Sequence, residues 1–147
     1  WSSDVCSSDL DQDSWLSDLV ALLKARNLDQ IFLLAPTSTD ERIERICSIA
    51  SGFVYYVSLK GVTGAAHFDI QSVVEKVNQI RGHTEIPVGV GFGISNAETA
   101  AKVSAVADAV VVGSAVVKRV AENAEDPQKI SAEVCGLLAS MREAMDA

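Results

Sequence analysis

The run Pro87-Val88-Gly89-Val90-Gly91-Phe92-Gly93-Ile94 decides the fold. Proline introduces it, residues 88–90 read as a short strand buried on both faces, and glycines close it in a turn. A helix is expected next. Ser95 and Glu98 offer it a capping box, and Ala97, Ala100, Ala101 and Val103 give it a small-residue packing face. The following strand, 109–112, ends in Gly113-Ser114. Strands apolar on both faces and separated by helices are the units of a right-handed parallel βα series.

The same alternation extends in both directions. Leu16, Leu19, Val20 and Leu23 recur at helical spacing as far as Asn27, and a strand at 31–35 stops at Pro36. Ser38 with Glu41 forms a second candidate capping box, for a helix that buries Ile43, Ile46, Cys47 and Ala50 and ends at Gly52. A strand at 53–58 follows, then a loop at 59–68. Asp69 is placed to cap a helix carrying Ile70, Val73, Val74, Val77 and Ile80 on one face. After the strand at 109–112 come a short helix at 115–123 and a last helix opened by Asp126-Pro127, with Ile130, Val134, Leu137, Leu138, Met141 and Met145 as its buried stripe. Four strands are visible, with unequal spacing and no internal linker, so the fold class is α/β.

Residues 1–10 repeat Ser-Ser-Asp without helical or strand periodicity, and are expected to be a translated adapter scar outside the fold. The whole chain, at 147 residues, suffices for one domain. It is too short for a complete (β/α)8 barrel, which typically takes about 250 residues. A net charge of −8 without a Lys/Arg cluster argues against nucleic acid and anionic membranes as partners. An anionic ligand must then be held by local dipoles. Cys6, Cys47 and Cys135 form no CxxC pair, which suggests neither a disulfide framework nor a zinc site and fits a reducing cytoplasm. Every apolar run is far shorter than the roughly 20 residues that span a bilayer.

Parallel α/β folds place their sites at the C-terminal ends of the strands. Those ends carry Pro36-Thr37, residues 58–64, Gly91-Phe92-Gly93 and Gly113-Ser114. Alone, Gly91 and Gly93 are most simply a tight turn. Paired with Gly113-Ser114 at the start of a helix after the neighbouring strand, they form a place where backbone N–H groups and a helix N-terminus converge on one anion. A phosphate ligand is therefore expected. His67 and His83 look incidental, isolated in loops without partner ligands, and no metal is expected. No strand end offers a carboxylate: Asp108 precedes its strand on the opposite rim, while Asp40, Glu41 and Asp69 start helices and are most simply caps.

Four runs also resemble a known family. Ile31-Phe-Leu-Leu-Ala-Pro-Thr37, Gly52-Phe-Val-Tyr-Tyr-Val-Ser-Leu-Lys-Gly-Val-Thr-Gly-Ala65, Val90-Gly-Phe-Gly-Ile94 and Val111-Val-Gly-Ser-Ala115 are similar, in that order, to the tryptophan synthase alpha chain family. The Tyr-Val-Ser-Leu-x-Gly-Val-Thr-Gly-Ala run is far rarer than any glycine turn. The resemblance implies a TIM (β/α)8 barrel of which residues 11–147 form the C-terminal half, about strands five to eight with their helices. It implies a lyase of tryptophan biosynthesis, which cleaves indole-3-glycerol phosphate to indole and glyceraldehyde 3-phosphate.

That family works with a pyridoxal-phosphate beta subunit in an alpha2-beta2 complex; the alpha chain itself takes no cofactor. By the same resemblance Tyr55 corresponds to the active-site tyrosine of strand six, and Thr63 and Gly64 lie in the mobile loop over the substrate. Phe92 stands beside the indole ring. Gly93, Gly113 and Ser114 hold the phosphate, with Gly64 contributing as the loop closes. The family's catalytic glutamate and aspartate come from strand two and the loop after it, and this chain has neither, so it is expected to be inactive alone. The bland reading of Tyr55 is a core tyrosine and that of Thr63 a solvated loop residue. Two alternatives stay open: a non-catalytic half-barrel that binds phosphorylated ligands or a partner, and another phosphate-binding barrel enzyme, such as a histidine-biosynthesis cyclase or an indoleglycerol phosphate synthase. The Tyr-Val-Ser-Leu-x-Gly-Val-Thr-Gly run speaks against the synthase.

Overall fold

The computed structural model describes residues 14–58, 70–91 and 93–147. The expected scar at 1–10, the loop at 59–68 and the cap Asp69 lie outside the described residues. Along the described chain, α1 (Ser14–Lys24), β1 (Phe32–Leu34), α2 (Asp40–Ile49), β2 (Val54–Val57) and α3 (Ile70–Arg81) come first. Next are β3 (Val88–Gly91), α4 (Ala97–Ser104), β4 (Ala109–Val111), α5 (Ser114–Glu122) and α6 (Pro127–Asp146).

The strands form one sheet in the order β1-β2-β3-β4, every pair parallel. A sequential order with right-handed crossovers lays all the crossover helices on one face. The burial follows that rule. Leu34, Val54, Tyr56, Val88 and Val90 point to the helices and are at most 1% exposed. They meet Ile43 and Ile46 of α2, Val73, Val77 and Ile80 of α3, and Ala100 and Val103 of α4. Each fully buried aliphatic side chain of this kind contributes about 1.5–3 kcal/mol. The other face carries Leu33, Tyr55, Gly89 and Ala109 in one cross-strand row and Val57, Gly91 and Val111 in the next. It is apolar and open: Leu33 is 55% exposed.

The last helix begins as its sequence suggests, Asp126 capping the N–H groups of Gln128 and Lys129 and Pro127 standing in the first turn. Its buried residues are Leu137 and Met141, and Leu138 is 44% exposed, so it falls outside the expected stripe. One residue of helix is 100° of rotation, enough to carry Leu138 off the face that Leu137 occupies. Leu19 of α1 is likewise exposed, while Val20 is buried.

Both expected capping boxes are displaced by one residue. Thr39, not Ser38, caps α2, accepting from the N–H of Arg42. Ser38 is buried, and its hydroxyl accepts from the N–H of Ala35 at 3.0 Å to close the turn after β1. At α4 the cap is Asn96, accepting from the N–H of Thr99 at 2.9 Å, and Glu98 pairs with Lys102 instead. An Asn side chain places its acceptor one atom farther out than Ser and is an equally good cap. Gly52 does not end α2, which stops at Ile49; with φ +73° it turns the chain toward β2 instead.

Asp108 ties the N-terminal rim together. Its carboxylate accepts from the N–H of Val88 at 2.8 Å and from Arg81 at 3.0 Å. First the Val88 N–H and then Arg81 hold its pKa below the usual 3.8. A lowered folded pKa means a stabilising contribution that is complete above that value and fades as pH falls through the folded one. Asp108→Ala should cost about 1–2 kcal/mol, most of it from the backbone bond, since the half-exposed ion pair adds little. In urea unfolding followed from pH 7 to pH 2, the difference between the parent and this variant should shrink below pH 3.8. A constant difference across that range would assign the effect to packing.

β1 and β4 each leave one edge unpaired among the described residues. Unpaired apolar edges recruit other strands. Sedimentation of the isolated chain should show dimers or larger species, reduced by Leu33→Lys; a monomer at all concentrations would contradict this.

Candidate functional site

The C-terminal rim is fixed by hydrogen bonds at Gly91. Ser58, the residue after β2, directs both its N–H and its hydroxyl at the Gly91 carbonyl, each at 3.0 Å. This clamp joins the ends of β2 and β3. Ser58 was legible only as a polar residue closing a strand, with no signal of its partner.

Tyr55 is half-buried on the open face, and its ring lies over Gly91. A Cβ at Gly91 would stand 2.6 Å from the ring Cε2 and 2.9 Å from Cζ, with the hydroxyl closer still. Glycine is required there by the tyrosine, since the backbone φ of Gly91 is not positive. Gly93 differs. It has φ +77°, in the left-handed region, so the turn alone accounts for it.

Gly113 has neither reason. Its φ is −112°, and a Cβ built on it meets nothing within 4 Å. It is the N-cap of α5 and makes no side-chain cap hydrogen bond. By contrast Thr39, Asn96 and Asp126 cap α2, α4 and α6 with side-chain oxygens. The first N–H groups of α5 are thus left without a side-chain acceptor from the cap, beside the exposed Ser114 at the first helical position. Because Gly91 pairs with Val111, Gly93 and Gly113 each stand two residues beyond one ladder rung, on the same rim. Tyr55, Gly93, Gly113 and Ser114 are therefore gathered at the C-terminal ends of β2, β3 and β4. Phe92, Thr63 and Gly64 lie outside the described residues, as does His67.

His83 is not isolated. Its Nε2 lies 3.0 Å from the Asp40 carboxylate, which also accepts from Gln79 at 2.9 Å. The Gln79 bond first, and then His83, lower the Asp40 pKa. Asp40 is the first residue of α2 rather than its cap, and periodicity within a single helix carries no signal of this contact with the turn after α3. No group of three or more His, Cys, Asp or Glu suited to a metal ion occurs among the described residues. No helix among them is long and apolar enough to cross a membrane.

Alanine substitutions should separate the three glycines. Gly91→Ala drives a methyl into the Tyr55 ring and should cost about 1–3 kcal/mol. Gly93→Ala forces a left-handed residue, at about 1–2 kcal/mol. Gly113→Ala should leave stability within about 0.5 kcal/mol. Denaturant midpoints measure all three, and a large loss at Gly113 would mean that the fold, not a ligand, demands that glycine.

A family model described as tryptophan synthase alpha chain matches residues 9–146. The tryptophan synthase alpha chain of Thioalkalivibrio sulfidiphilus is 62% identical over 129 residues, covering 88% of this chain and 48% of the relative. That of Nitrosococcus oceani is 55% identical over the same length, with the same coverage. Among solved structures, tryptophan synthase subunit alpha of Legionella pneumophila superposes with a TM-score of 0.72 at 32% identity, over 88% of this chain and 47% of that one. The chain spans about half the length of the curated relatives it matches, and its parallel sheet with helices on one face is half of their TIM barrel. This chain belongs to the tryptophan synthase alpha chain family.

Proposed function

We propose that this chain is the phosphate-holding half of a lyase of tryptophan biosynthesis, which cleaves indole-3-glycerol phosphate to indole and glyceraldehyde 3-phosphate. The observation that carries the reading is the start of α5. Here a glycine cap with open space replaces the side-chain caps of α2, α4 and α6. An anion there receives N–H groups from the helix N-terminus and a hydroxyl from Ser114. Gly93, after the neighbouring strand on the same rim, shapes the other wall.

In this reading Phe92 lies beside the indole ring, and Gly64 joins the phosphate site when its loop closes. Tyr55 and Thr63 support the chemistry rather than perform it. Retro-aldol cleavage breaks the bond between indole C3 and the glycerol chain; C3 gains a proton and a glycerol hydroxyl loses one, so the aldehyde forms. Carboxylates suit both transfers, and each is worth about 10²- to 10⁴-fold. The described strand ends offer none, and the family's pair belongs to the half of the relatives that this chain does not span. Residues 11–147 form the barrel half in this reading. The chain takes no cofactor of its own, and it works in the cytoplasm with a beta subunit that binds pyridoxal phosphate, in an alpha2-beta2 complex.

The purified chain, supplied with indole-3-glycerol phosphate, should release no indole, with or without beta subunit. Joined to the N-terminal half of the Thioalkalivibrio sulfidiphilus relative, it should turn the substrate over. In that hybrid Ser114→Ala should weaken phosphate-ligand binding by about 1.5–3 kcal/mol, the worth of one hydrogen bond to a charged group. Gly113→Asp should do worse, through like-charge repulsion. Robust turnover by the chain alone would overturn the division of labour, and unchanged affinity in both variants would place the anion elsewhere.

A further inference from the structure

The open face of the sheet holds two vacancies and two rings. Gly89 and Gly91 of β3 lack side chains, and neither has the positive φ that would call for glycine on backbone grounds. Phe53 and Tyr55, two residues apart and so on the same face, fill the gaps. The Phe53 ring lies over Gly89, with Cδ2 and Cε2 each 3.3 Å from the place of a Cβ, and the Tyr55 ring lies over Gly91. The ladder register makes this pairing informative. Gly89 is the cross-strand partner of Tyr55, and Gly91 that of Val57. Each ring has therefore leaned one side-chain row along the strand, toward the C-terminal rim. The slot directly across from Tyr55 is taken by Phe53, and the slot left for Tyr55 is the one at the rim.

We propose that Phe53 and Gly89 are a positioning pair: Phe53 fills the gap over Gly89 and so keeps the Tyr55 hydroxyl at the rim, where the proposed substrate sits. The functional half of this statement rests on the reading of the site given above; the geometric half does not. Removing the Phe53 ring opens a slot beside Tyr55 into which its own ring can fall, away from the site. Filling that slot from the other strand closes it again.

The test labels the chain with 3-fluorotyrosine and follows ¹⁹F NMR. The chain has two tyrosines, and Tyr56, on the helix-covered face and 1% exposed, serves as the control for folding. Phe53→Ala should move the Tyr55 resonance and leave that of Tyr56 in place. Adding Gly89→Val to the same chain should bring the Tyr55 resonance back toward its parent position. Should Phe53→Ala disturb Tyr56 as well, Phe53→Leu, which keeps most of the volume, supplies the same comparison. A Tyr55 resonance that ignores loss of the Phe53 ring overturns the pair.

In the hybrid enzyme Phe53→Ala should lower kcat by about 10- to 100-fold, the scale of an ångström misplacement, with KM changed far less. Gly89→Val should restore much of the loss in the double variant. A kcat loss that the double variant retains counts against positioning. A parent hybrid without turnover counts instead against the proposed function, because the resonance shifts are read on the chain itself.

Discussion

Everything in this molecule depends on the handedness of its crossovers. Parallel strands joined in sequential order by right-handed connections can receive helices on one face only, and that face becomes the core. Tyr56 and Tyr55 show the result in adjacent residues: Tyr56 is sealed against the helices, whereas Tyr55 stands half-buried on the bare side. In the solved relatives the sheet continues until it closes, and the bare side becomes the barrel interior. The same asymmetry sorts the two rims. Asp108 binds the N-terminal rim through the Val88 N–H and Arg81, while the glycine turns and the start of α5 occupy the C-terminal rim.

The alternation of elements was readable because each strand is a short apolar run and each helix repeats its apolar residues at 3.6-residue spacing. Element order and the parallel arrangement follow from those two periods. The caps were less readable. Ser38-Thr39 and Ser95-Asn96 each offer two adjacent cap-forming residues, and which one caps depends on where the turn from the preceding strand lets the helix begin. At α2 the earlier residue is occupied by the turn, since the Ser38 hydroxyl binds the N–H of Ala35. The Asp40–His83 contact joins residues 43 apart, beyond the reach of any periodicity.

At the candidate site the sequence showed which residues stand at strand ends but not why each is present. Three glycines that look alike in the chain have three causes. Gly91 yields to a ring, Gly93 obeys a backbone angle, and Gly113 answers to nothing in the described protein. A backbone angle and a contact across strands separate them, and neither is written in the identity of the glycine itself. Phe53 is the residue most easily overlooked, since an aromatic at the start of a strand looks like any core residue until its glycine partner is seen.

The bare cap of α5 makes part of the fold conditional on its surroundings. A helix that begins on Gly113 leaves N–H groups for solvent to satisfy, where Thr39, Asn96 and Asp126 spare α2, α4 and α6 that dependence. In the function proposed above, a phosphate at this position completes the helix as well as binding to it. For the proposed phosphate site, occupancy and local order at the start of α5 become a single equilibrium, so that the ligand would stabilise this helix end by mass action.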